Sequence, residues 1–206
     1  MDSPATTKER ILLFAARKFT EEGYVRVSID DIASGLGISK KTFYKHFKSK
    51  EDLLLQLTDS FMRDIHTRIT TIIGSGRGFL ERLSAIMLLL AEQVGRVGTP
   101  FMEDIQRCRP EIWMRIQEFR RQRISVDLAG LIREGVREGE IRPDVNTELF
   151  AKSFIGAVEE VIIPSFLATQ PYPWSDAIKS VLSIFFEGIL TDEARHRLAE
   201  IQGVKT

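Results

Sequence analysis

Three serines, Ser28, Ser39 and Ser49, each stand at the head of a short amphipathic run. Three helices therefore have to begin within about two dozen residues. Ser28 is followed three positions on by Asp31, and Ser49 by Asp52, in the spacing of a capping box. Ile29, Ile32, Ala33 and Leu36 give the first of these helices a compact apolar face, and Gly37 ends it where a positive φ is needed. Phe43 and Phe47, four apart, give the next helix one inward stripe. Helices this short are not stable alone. Two of them across a glycine turn must pack against each other as a helix-turn-helix.

The outward side of the second helix carries Lys40, Lys41, Thr42, Tyr44, Lys45 and His46. The first turn of a second helix in such a motif is the part that reaches base edges in the major groove. A lysine there donates to guanine O6 or N7, and a threonine methyl touches the thymine methyl. Tyr44, Lys45, Lys48 and Lys50 are spaced to meet phosphates, and the helix starts at Ser28 and Ser39 offer free N–H groups to phosphate oxygens. The residues expected to bind DNA are thus Ser28, Ser39, Lys40, Lys41, Thr42, Tyr44, Lys45 and Lys50, with His46 on the same outward side. A run of lysines alone is more often a solvated face. The combination of caps, compact helix, glycine turn, paired phenylalanines and basic exterior is what favours the duplex.

Charge supports that division. The chain is neutral overall, but residues 1–50 hold ten Lys/Arg against six Asp/Glu, and residues 51–206 hold nineteen against twenty-three. Residues 40–50 contain five lysines, His46 and no acid. With 43% hydrophobic residues among its 206, the chain can bury a core. No apolar run approaches the ~18 residues of a membrane span. The N-terminus lacks an apolar leader core, and Cys108 has no partner for a disulfide. A cytoplasmic protein without a membrane segment is expected.

Nearly every other segment has helical spacing, and none alternates as a strand does. A first helix is predicted from about Thr6 to Thr20, closed by Gly23. A long fourth helix carries Leu54, Leu57, Phe61, Ile65, Ile69 and Ile72 in register. Gly74–Gly78 is a break that lacks the Lys-Ser/Thr ending of a phosphate-binding loop. Further helices are predicted from Phe79 to about Val94, Pro110 to about Glu138, Asn146 to about Thr169 and Ser175 to about Leu190, with a polar helical tail. Gly95–Pro100, Gly139–Asp144 and Gln170–Pro173 are read as loops. The predicted fold is all-α with about nine helices. A three-helix helix-turn-helix domain occupies residues 1–52 and a larger helical domain residues 53–206.

Residues Thr6 to about Leu57 resemble the N-terminal domain of the TetR family of bacterial transcriptional regulators (TetR/AcrR type). The resemblance rests on Ile11–Phe19, on Ser28-Ile-Asp-Asp-Ile-Ala, and on Gly37-Ile-Ser-Lys-Lys-Thr-Phe-Tyr-Lys-His-Phe-Lys-Ser-Lys-Glu-Asp-Leu-Leu54. Gly135–Asp144 (GVREGEIRPD) is similar to the turn before the dimer helices in many members. The resemblance implies a homodimer on a palindromic double-stranded operator, a C-terminal domain that holds a small inducer, and repression as the default outcome. Lys41 departs from the pattern, since relatives often carry a small residue or proline there.

For the ligand the candidates are Met87, Phe101, Met102, Trp113, Met114, Phe119 and Phe154, because Met and aromatic side chains suit an adaptable apolar pocket. The same residues serve equally well as plain core. His66 and Glu159 are candidates to orient a polar group on the ligand. For the dimer, one stripe runs through Val158 and Ile162 and another through Ile178, Leu182, Phe185 and Phe186. These either pair with a second copy as a four-helix bundle or fill the core of one chain. No cofactor and no metal are expected. His46, His66 and His196 lie apart with no ligand spacing, and no nucleophile has a base and an orienting partner, so an enzyme is not expected.

Overall fold

The structure, a computed structural model, describes residues 6–161, 163, 169 and 174–203. Among the described residues the regular structure is helical, apart from one isolated antiparallel bridge between Ile141 and Leu190. The chain forms two compact units. One comprises residues up to Arg63 together with Val97–Ile116; the other comprises Asp64–Arg96 and the chain from Gln117 onward.

The first unit contains α1 (Thr7–Glu22), α2 (Ile29–Gly35), α3 (Lys40–His46), the start of α4 (Lys50–Ile73), α6 (Thr99–Cys108) and the first turns of α7 (Pro110–Phe119). Its core gathers Ile11, Phe19, Phe43, Phe47 and Leu53 with Ile105 of α6 and Ile112 of α7. The sequence placed the domain boundary after residue 52 and read Gly95–Pro100 as a loop. In the structure α6 begins at Thr99 and packs on α1. Pro100 does not break it, because it lies in the first helical turn, where the missing N–H has no helical acceptor to lose.

The second unit contains the rest of α4, α5 (Phe79–Arg96), α8 (Ser125–Arg137), α9 (Thr147–Val161), α10 (Trp174–Glu187) and α11 (Asp192–Ile201). A π-helical turn, Arg120–Ile124, joins α7 to α8, so the single helix expected from Pro110 to Glu138 is interrupted. Helix α5 packs along α10 and α11, and α8 lies on α9. Phe150 and Phe154 meet Phe185 and Phe186 edge to face, with centroids 5.5–5.8 Å apart. Gly135 is fixed by packing: a Cβ there would lie 2.6 Å from the Phe79 ring and 2.7 Å from Ile141. Arg82 is buried and donates to Glu134 at 2.9 Å and to the Ile73 carbonyl at 3.1 Å. The hydrogen bond from Arg82 holds the Glu134 carboxyl below the usual carboxylate range.

Candidate nucleic-acid interface

Helix α2 starts as its sequence requires. Ser28 Oγ accepts from the Asp31 N–H at 3.1 Å, and the Ser28 N–H donates to Asp31 Oδ2 at 2.8 Å. The Ser28 hydroxyl and N–H hold the Asp31 carboxyl below its ordinary range. Gly37 turns the chain at φ +65°, and the Ile38 N–H returns to the Ala33 carbonyl at 2.9 Å. Ser39 Oγ then accepts from the Thr42 N–H at 3.1 Å and opens α3. The turn between Leu36 and Ser39 thus follows from local chemistry alone.

Helix α3 is sharply two-faced. Phe43 and Phe47 are fully buried, with ring centroids 5.7 Å apart. Lys40, Lys41, Tyr44 and Lys45 are exposed, and Thr42 and His46 are half-buried. The Tyr44 ring stands edge-on to Phe43 at 5.6 Å, which leaves its outer half in solvent. Lys40 Nζ lies 2.7 Å from Asp30 Oδ1 of α2. Ser28, Asp30, Lys40, Tyr44 and Lys50 share the wall of an open groove of about 330 Å³. Lys50 differs from the other lysines. Its ammonium lies over the Tyr24 ring at 4.3 Å and donates to the Val25 carbonyl at 3.3 Å, and burial pushes its pKa down. The Tyr24 hydroxyl accepts from Arg109 Nη2 at 3.2 Å, and Arg109 donates to Glu51 at 2.6 Å.

A model described as "Bacterial regulatory proteins, tetR family" matches residues 11–57, the span from α1 into α4. Residues 11–57 thus match the TetR family's N-terminal domain. Over 186 residues it is 23% identical to the HTH-type transcriptional regulator YvaF of Bacillus subtilis, covering 90% of this chain and 96% of that one. Over 142 residues it is 28% identical to the HTH-type transcriptional repressor KstR2 of Mycobacterium tuberculosis, covering 68% and 71%. The fold matches that of the regulator FadR of Bacillus subtilis, solved in complex with stearoyl-CoA, with a TM-score of 0.64. The two are 23% identical over 87% of this chain and 98% of that one. These TetR-family relatives are named as regulators of transcription, not as enzymes.

The residues expected to hold a ligand are divided between the two units. Phe101 and Trp113 pack against the core of the first unit, Met102 is buried in that unit, and Met114 is exposed. Met87 is half-buried on α5 and accepts from Gln202 at 3.8 Å. Glu159 is engaged in a forked pair with Arg121 at 2.9 Å. Phe119 stands edge-on to His66 at 6.3 Å. Of the expected residues only Phe154 lines the crevice in the second unit, together with Ile69, Ile86, Leu131 and Phe186. Asp127 also lines it, and sequence reasoning missed it. The available signal was its register with Ile124 and Leu131 on the apolar stripe of α8.

Most of the residues expected at a dimer interface are enclosed within the one chain. Val158, Ile178, Leu182 and Phe186 are buried within one chain, and Phe185 is half-buried among Phe150 and Phe154. These side chains contribute to the core of the second unit. Ile162 lies outside the described residues. Among the described residues, the large apolar side chains that α9 and α10 leave exposed are Leu149 and Ile184. No helix of the described residues is long and apolar enough to cross a membrane, and no cluster of three or more His, Cys, Asp or Glu among them is placed to hold a metal.

Proposed function

We propose that this regulator represses transcription by binding a palindromic duplex operator as a homodimer, and that a small, largely apolar ligand in the second unit releases it. What carries the reading is the two-faced α3: two fully buried phenylalanines fix the helix, and four exposed side chains, three of them lysines, project from its outer side. In the bound state Lys40, Lys41 and Thr42 read base edges, while Tyr44, Lys45, His46, Lys50 and the helix starts at Ser28 and Ser39 meet the backbone. Asp30 holds Lys40 until the duplex competes for it. A homodimer supplies two such helices, spaced by about one helical turn of DNA or a multiple of it. Its interface is the outward face of α9 and α10, around Leu149 and Ile184. Ligand release works by population: the ligand favours a state whose two α3 helices no longer match the operator.

Selection of duplexes from a random pool, followed by footprinting, tests this. The expected product is a sequence with two inverted half-sites, whose affinity falls steeply with salt, at roughly 0.9 log units per log unit of salt for each phosphate contacted. Replacing Lys40, Lys41 and Tyr44 together by alanine is expected to weaken binding at least a hundredfold while leaving the thermal midpoint near wild type. Binding that is insensitive to salt, or unchanged in the triple variant, overturns the reading. Leu149→Glu with Ile184→Glu is expected to give a monomer by ultracentrifugation that leaves half-sites unprotected.

A further inference from the structure

A carboxylate stands where phosphates are expected. Asp30, in the first turn of α2, shares its groove wall with Lys40, Tyr44 and Lys50. Its Oδ1 lies 2.7 Å from Lys40 Nζ, and the two side chains are 63% and 61% exposed. Among the described residues neither side chain enters a second ion pair. A pair this exposed adds little stability. The cap of α2 does not need Asp30 either, because Ser28 and Asp31 complete it between themselves. On a surface turned toward a duplex a lone acid repels the phosphates and weakens binding to every sequence alike. Folding therefore does not account for Asp30, and neither does affinity.

We propose that Asp30 and Lys40 act as one reader, a specificity-determining couple that requires a G·C base pair, in one orientation, at one position of each half-site. The inference rests on the duplex-binding reading given above. In the major groove a G·C pair presents guanine N7 and O6 as acceptors and cytosine N4–H as a donor. Guanine O6 and cytosine N4 are hydrogen-bonded to each other, so they stand about 2.9 Å apart. The ammonium and carboxylate of the couple are 2.7 Å apart, a spacing that sets one over each. The donor count also closes. Lys40 has three N–H groups; with one turned to Asp30, two remain for O6 and N7. The Asp30 carboxylate keeps lone pairs free for cytosine N4–H. A reversed C·G pair sets donor against ammonium and acceptor against carboxylate. A T·A pair offers the ammonium thymine O4 alone, beside the C5-methyl. The competition between Asp30 and the duplex for Lys40 is thus decided by the base pair: G·C serves both side chains at once, and the others do not.

Selection from a random duplex pool, run in parallel with the full wild-type chain and its Asp30→Ala variant, tests this. Wild type is expected to recover one fixed G·C pair per half-site, whose replacement by A·T, T·A or C·G in the selected duplex costs roughly tenfold in affinity. Asp30→Ala is expected to flatten that position to below about threefold, to keep the preferences elsewhere, and to bind a random duplex several-fold more tightly, because a negative charge has left the phosphate-facing surface. A thermal midpoint near wild type shows that the variant folds. Lys40→Ala is expected to flatten the same position while losing affinity for every duplex, and the double variant to flatten no other. An Asp30→Ala variant that flattens no position, or that binds a random duplex more weakly than wild type, overturns the couple. If that happens while wild type binds duplex with the expected salt slope, the couple alone is refuted. A wild type that binds no duplex refutes the duplex-binding reading itself, and the couple with it.

Discussion

The two units treat their polar groups in opposite ways. Among the described residues, the buried side-chain atoms without a hydrogen-bond partner are His66 Nδ1, Arg82 Nε, Gln93 Nε2 and Asp127 Oδ2, and all belong to the second unit. The first unit caps α1, α2 and α3 with side-chain oxygens and closes its interior with Phe43, Phe47 and Ile105. Unmade hydrogen bonds are free energy held in reserve, because a partner that supplies them is bound more tightly. Under the proposed function, the first unit works by presenting one fixed surface and the second by having something left to satisfy.

The largest expected effect lies on the satisfied side. Phe43→Ala removes a fully buried ring that anchors α3 and is expected to cost about 3–5 kcal/mol by denaturant unfolding, with duplex binding lost alongside. A loss below 1 kcal/mol would mean that α3 is held in some other way. The contrast then predicts a substitution of opposite sign. Gln93→Leu replaces a buried amide whose nitrogen has no partner, and is expected to stabilise the chain by about 1–2 kcal/mol. Destabilisation by that variant would show that the second unit is as closed as the first. Ser28→Ala deletes the cap of α2 and is expected to cost about 1 kcal/mol, with a drop in duplex affinity of similar size.

The smallest effect concerns pH. The Asp31 carboxyl lies below its ordinary range because it accepts from Ser28. The box therefore contributes its full stability at pH values above the unfolded carboxyl range and loses it as pH falls through the lowered folded value. Unfolding midpoints followed from neutral pH into the acid range are expected to fall less in Asp31→Asn than in wild type. Equal falls would remove Asp31 from the account.

Legibility in the sequence followed the range of the forces involved. Ser28, Gly37, Ser39 and Ser49 act on residues within four positions of themselves, so the helix starts and the turn were readable without a fold. The inward pair of α3 was readable from its spacing. Helix α6 was obscured by Pro100, whose effect reverses between the first turn of a helix and its interior. The stripes through Val158, Ile178 and Leu182 were readable as apolar, but periodicity does not say whether a stripe faces its own chain or a copy. The Asp127–His66 contact joins residues 61 positions apart and depends on the packing of α4 against α8, which no local pattern encodes. Arg121–Glu159, across 38 positions, was hidden for the same reason.

One connectivity has a practical consequence. Because Ile105 and Ile112 complete the core around Phe19 and Leu53, a ribosome has to deliver residue 116 before the first unit can close. A shortened gene ending at Arg63 would encode α1 to α3 with an unfilled hydrophobic wall, a product prone to clump instead of reading DNA. Anyone wishing to graft this reading head onto another protein must carry Val97–Ile116 with it.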